Sequence, residues 1–132
     1  MFIVLSDLHF SEAQSTQLGP YRFNRNLPPE AFESYFYEIN NLARANDIER
    51  LGLILAGDIL EISRSVIWLD KGHRPYINNG DVKPGSEVEE TILKIMAAIE
   101  REDKVSETLA LFKNIQDYFD MKVDLHLLLG NH

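Results

Sequence analysis

Three apolar runs in this chain end in the same way. Phe2-Ile3-Val4-Leu5 breaks into Ser6-Asp7-Leu8-His9, Leu51-Gly52-Leu53-Ile54-Leu55-Ala56 into Gly57-Asp58, and Leu127-Leu128-Leu129 into Gly130-Asn131-His132. Short apolar runs bounded by polar breaks read as buried strands. The middle run is apolar at both sets of alternate residues, which a central parallel strand requires because both of its faces are covered.

The segments between the runs supply crossover helices. Pro28-Pro29-Glu30 begins one, since proline fits a first helical turn, and Phe32, Tyr35, Phe36, Ile39, Leu42 and Ala43 give it an apolar face ending near Asn46. Ser86 and Glu89 have capping-box spacing, and Val88, Ile92, Ile95, Met96 and Ile99 follow as a helical stripe. Val105, Leu109, Phe112, Ile115 and Phe119 predict a third helix over about 105–118, with a break near Glu102-Asp103, before a last strand over 122–129. The segment from Ser6 to Leu27 has no sustained period and reads as a long loop, functional or mobile. Residues 60–69 fit a helical turn or short strand, and 71–85 a second loop. The order strand, helix, strand, helix, helix, strand implies a single α/β domain over 1–132. Its parallel sheet would have right-handed crossovers, with ligands gathering at the carboxyl ends of the strands.

Composition narrows the chemistry. Thirteen Lys and Arg against twenty-one Asp and Glu leave a net charge of −8, which argues against a protein that binds extended nucleic acid by neutralising phosphates. The loops 7–29 and 58–85 are nonetheless balanced, with Arg22, Arg25, Arg64, Lys71, Arg74 and Lys83 against Asp7, Glu12, Asp58, Glu61, Asp70 and Asp81. With no cysteine, any metal must be held by oxygen and imidazole nitrogen. The amino terminus lacks the basic region of a signal peptide and no apolar stretch is long enough to span a bilayer, so a cytoplasmic protein is expected.

Asp7 and His9 are two residues apart where the first strand ends, and an extended backbone would project both to one side. A carboxylate and an imidazole together suit manganese, iron, zinc or nickel better than calcium. Asp124-Leu125-His126 repeats the tripeptide but opens a strand instead of closing one, so it is read as structural, with His126 half-buried in the sheet. Gly57 permits a sharp turn that would aim Asp58 at the strand ends, where its carboxylate can bridge two cations. Asn131 offers a neutral oxygen ligand, and His132, facing differently, is placed to touch substrate.

Asp7-x-His9, Gly57-Asp58 and Gly130-Asn131-His132, in this order and each after a strand, resemble the calcineurin-like metallophosphoesterase family. The resemblance spans the chain but covers only the amino-terminal half of the family's pattern. It implies an α/β/β/α sandwich of two sheets and a centre of two divalent metal ions that activates water to hydrolyse phosphomonoesters or phosphodiesters. By position, Asp7 and His9 would bind the first metal, Asp58 would bridge, and Asn131 would bind the second metal and face substrate. His132 would be catalytic, contacting the phosphate and assisting the leaving group. The family usually continues with an acid after the Asn-His pair, then Gly-His and Gly-His-x-His, which complete both metal shells. Weak metal binding, poor or absent hydrolysis and a truncated domain are therefore expected of residues 1–132.

The missing second sheet would also leave one sheet face apolar and exposed, available to a homo-oligomer. Glu61 is similar to a pattern in the branch acting on nucleotide-linked lipid precursors, although a lone Glu after a turn more often supports another residue. Arg64 is a candidate for the phosphate or leaving group, as are His73, Arg74, Arg22 and Arg25. Trp68 and Tyr76 are expected to pack the second loop. The rival from another class is a catalytically dead interaction module that retains remnants of the metal site. A doubly wound nucleotide-binding domain is disfavoured, because no glycine-rich phosphate loop follows the first strand.

Overall fold

A computed structural model describes residues 1–18, 20–22, 25–71 and 82–130. Along the chain run β1 (Phe2–Ser6), the short β2 (Gln17–Leu18) and β3 (Tyr21–Arg22), α1 (Pro29–Ala45), β4 (Arg50–Gly57), α2 (Glu87–Glu100), α3 (Asp103–Lys113) and β5 (Lys122–Leu129). β1, β4 and β5 form a three-stranded sheet in that order with β4 central, and both pairings are parallel. The fold is thus α/β with three helices, as the alternation of elements predicts. β2 and β3 make a small antiparallel hairpin inside what the sequence reads as loop.

The helix ends follow local chemistry. Pro29 occupies the first turn of α1, and at the other end Asp47 takes a left-handed φ of 52°. Its N–H donates to Arg44 O and that of Ile48 to Ala43 O, the paired bonds of a Schellman ending. Ser86 caps α2 by accepting the Glu89 N–H at 3.2 Å, while the Glu89 carboxylate accepts the Gly85 N–H at 2.6 Å. The chain breaks at Arg101-Glu102 and starts again as α3, which tightens into a 3-10 turn over Ile115–Tyr118.

One face of the sheet carries the core. Ile3 from β1 and Leu51, Leu53 and Leu55 from β4 are buried beneath the helices with Phe32, Phe36, Ile95, Ile99, Val105, Leu111 and Phe112. Phe36 is the hub of an aromatic cluster, its ring centroid 6.2 Å from Phe112, 5.5 Å from Phe119 and 6.1 Å from Tyr118. Tyr35 and Leu42, expected on the same apolar face of α1, are exposed instead, so the buried stripe is narrower than the periodicity suggests.

Among the described residues no helix lies over the other face. Phe2, Val4 and Leu128 lie on it and are exposed at 75%, 57% and 56%, alongside partly buried Ile54. Gly52 is covered there by the Phe2 ring, which lies where a side chain would stand. His126 is exposed on this face rather than half-buried as expected, because β5 is an edge strand and no described helix covers it. Asp124 has the structural role expected of it, bonding the Arg50 guanidinium of β4 at 2.6 Å. No helix among the described residues is long and apolar enough to cross a membrane.

Truncating the hub, Phe36→Ala, should cost about 3–5 kcal/mol in chemical denaturation, whereas Tyr37→Ala, at an exposed site on the same helix, should stay within about 0.5 kcal/mol. The hydrogen bond from Arg50 holds the Asp124 carboxyl below its ordinary value of 3.8. A lowered carboxyl pKa stabilises the fold above the unfolded value and loses that contribution as pH falls through the folded one. Any thermal-stability advantage of the wild type over Asp124→Asn should therefore be present at neutral pH and shrink below about pH 4.

Candidate functional site

The parallel ladder between β1 and β4 does not stop where the strands do. The Asp7 N–H donates to Ala56 O at 3.3 Å, the His9 N–H to Asp58 O at 2.9 Å and the Phe10 N–H to Ile59 O at 2.9 Å. The Glu61 N–H returns a bond to Phe10 O at 2.8 Å, around an isolated parallel bridge between Phe10 and Leu60. Residues 7–10 and 56–61 consequently travel side by side beyond the sheet. Phe10, fully buried, anchors the pair in the core.

Asp7 and His9 are not on extended backbone, which corrects the geometry expected for them. β1 ends at Ser6, and the two residues take left-handed φ values of 55° and 49°. Such a conformation costs an L-residue with a Cβ roughly 1–2 kcal/mol. Among the described residues only Asp47, at the helix ending above, shares this departure without being glycine. Strain of this kind persists where surrounding bonds over-determine it, and the ladder past the strand ends does so here.

Glycines bring the three strand ends together. Gly57 has φ 77°, and a Cβ there would stand 2.6 Å from Asp7 Oδ1. A Cβ on Gly130 would collide with Asp58 Oδ1 and lie 2.8 Å from the Gly57 carbonyl carbon. Each carboxylate therefore rests over a glycine at the end of the neighbouring strand, Asp7 over Gly57, the last residue of β4, and Asp58 over Gly130, the first residue past β5. Asp7, His9, Asp58 and Gly130 all follow the carboxyl ends of their strands, as the strand order predicts. Asn131 and His132 lie outside the described residues. Among the described residues no group of three or more His, Cys, Asp or Glu side chains is gathered tightly enough to hold a metal ion. The edge thus holds two carboxylates with room made for them, and one imidazole.

His9 has a neighbour of its own. Its Nδ1 is buried and stands 2.8 Å from Glu61 Oε2, close enough for a hydrogen bond although out of line for one. Glu61 is 8% exposed, and its other oxygen accepts from the Ser63 hydroxyl at 2.9 Å and the Arg64 N–H at 3.3 Å. The Arg64 guanidinium lies 3.7 Å from Oε2 and is otherwise solvated. His73, Arg74 and Tyr76 lie outside the described residues, and Arg25 is exposed.

Behind the site the two long loops are fastened to each other. Glu12, 2% exposed, accepts from the Ser65 hydroxyl at 2.7 Å and from the Ser15 hydroxyl, and Ser15 Oγ accepts the Val66 N–H at 3.0 Å. Asn26 pairs with the Ser11 backbone through bonds of 2.9 and 2.8 Å. Trp68 is buried, its indole N–H on Ile62 O at 2.8 Å, and packs the second loop as expected. Nothing in the sequence marks Glu12 as buried, because one of its two partners, Ser65, comes from a turn far along the chain. A cleft of about 450 Å3 between α1 and α3, walled by Glu30, Glu33, Glu107 and Asp117, holds none of the candidate residues.

Comparison with protein-family models, with curated proteins and with solved structures finds no match to this chain.

Gly57→Ala should destabilise the protein by at least about 1–2 kcal/mol, since alanine would meet both the left-handed φ and the Asp7 carboxylate. Chemical denaturation with an unchanged midpoint would show that neither constraint holds.

Proposed function

We propose that this chain forms part of a calcineurin-like metallophosphoesterase, the parallel-sheet half of its α/β/β/α sandwich, acting on phosphomonoesters or phosphodiesters. The observation that carries this reading is the placement of two carboxylates from different strand ends over facing glycines, beside an imidazole on strained backbone. Hard oxygen donors mixed with imidazole suit manganese, iron, zinc or nickel. Two such cations would polarise phosphoryl oxygens and lower the pKa of a bound water.

The chain's own residues would divide the work. Asp7 and His9 would hold one cation, Asp58 would reach both, and Asn131 the second. His132 would contact the phosphate and donate a proton to the leaving oxygen. Arg64, solvated and close to Glu61, would meet the substrate's negative charge. The ladder past β1 and β4 keeps Asp7, His9 and Asp58 in fixed register, so positioning comes from backbone hydrogen bonds rather than from long side chains. The apolar outer face of Phe2, Val4, Ile54 and Leu128 suits cover by a second sheet.

A second reading, an interaction module that keeps only remnants of the site, draws on two observations. The described residues gather no complete ligand group, and the same outer face is apolar and exposed. This reading expects a chelator-insensitive oligomer in sedimentation.

Metal binding separates the two. Calorimetric titration with Mn2+ should show binding to the wild type that falls at least tenfold in Asp58→Ala, and addition of metal should raise the melting temperature of the wild type alone. Equal uptake by both proteins would overturn the phosphoesterase reading.

A further inference from the structure

The contact between His9 and Glu61 has a consequence for the protonation of the ring. We propose that Glu61 is a positioning residue that holds His9 with its proton on Nδ1, leaving the Nε2 lone pair free as the donor atom toward the strand ends.

Nδ1 is buried and Glu61 Oε2 is 2.8 Å from it. An ionised carboxylate is an acceptor only, so an unprotonated Nδ1 would set two lone pairs against each other at that distance. A proton on Nδ1 removes the clash by turning an N–H toward the carboxylate. A neutral imidazole carries one proton, and Nε2 is then left as the acceptor. Metal-binding histidines are commonly held this way, one ring nitrogen on a carboxylate and the other on the ion.

Glu61 is built for such a task. Its backbone is tied to Phe10, the residue after His9, and Oε1 is taken by Ser63 and Arg64, which leaves Oε2 to face the ring. Arg64 lies close to the same oxygen without displacing His9. The left-handed φ of His9 and the bridge between Phe10 and Leu60 set ring and carboxylate side by side from the two segments that follow β1 and β4. Arg64, one of the candidate substrate residues, thereby gains a second task as a partner of Glu61.

The value of this arrangement for metal binding rests on the phosphoesterase reading; the tautomer itself does not. Long-range 1H–15N NMR of the metal-free chain, with the His9 signals identified by their loss in His9→Asn, reads it directly. The wild type should show a protonated Nδ1 and an unprotonated Nε2. Glu61→Gln, which keeps an acceptor oxygen, should preserve that tautomer, whereas Glu61→Ala should shift His9 toward Nε2–H with His126 unchanged. Mn2+ affinity should fall roughly 10–100-fold in Glu61→Ala and recover in part in Glu61→Gln. An Nε2–H tautomer in the wild type, or a His9 spectrum indifferent to Glu61→Ala in a folded protein, would overturn the proposal. A tautomer switch in a protein that takes up no metal would uphold the role of Glu61 and sink the phosphoesterase reading.

Discussion

β4 is hydrogen-bonded in parallel on both sides, and the rest of the molecule is arranged around that fact. Parallel neighbours cannot be joined by tight turns, so the chain must leave the sheet and return through helices. Both returns come from the face that buries Leu51, Leu53 and Leu55, which gathers all three helices over one core. Parallel pairing also aligns the carboxyl ends of the three strands, and that alignment sets Asp7 beside Gly57 and Asp58 beside Gly130. A change of register at either ladder would separate these pairs.

Stability and chemistry are in tension at this edge. Left-handed backbone at Asp7 and His9, close approach to two glycines and a buried carboxylate at Glu61 each oppose folding. They are held by neighbouring structure: the ladder that continues to Phe10 and Glu61, the buried Phe10 ring, and the polar fastening of Glu12, Ser15 and Ser65 that joins the two long loops. A loop bonded in this way behaves as a support for the strand ends.

The order of elements was legible because strand and helix write different periods into a sequence. Phe32 and Phe36, Ile95 and Ile99, and Val105 and Phe112 stand at helical spacing and are buried as that spacing requires. The hairpin of β2 and β3 was not legible, since two-residue strands leave no periodic trace. The burial widths of the helices were also hidden, as Leu42 shows: an apolar residue counted on the inward face of α1 stays exposed. Within the site, glycine before aspartate marked the turn at β4, but the left-handed backbone of Asp7 and His9 could not be inferred from residues that usually avoid it.

By itself the sequence determined the three strands of the main sheet, three helices, their alternation, and that Asp7, His9 and Asp58 would stand past the strand ends. These depend on local periodicity and on the polar breaks, and both are written residue by residue. Tertiary structure alone decided that each carboxylate lies over the glycine of its neighbour, that Glu12 fastens one loop to the other, and that Glu61 rather than solvent faces Nδ1 of His9. Those contacts join residues from separate strands and loops, and their distances exist only once the two parallel ladders have brought the backbones into register.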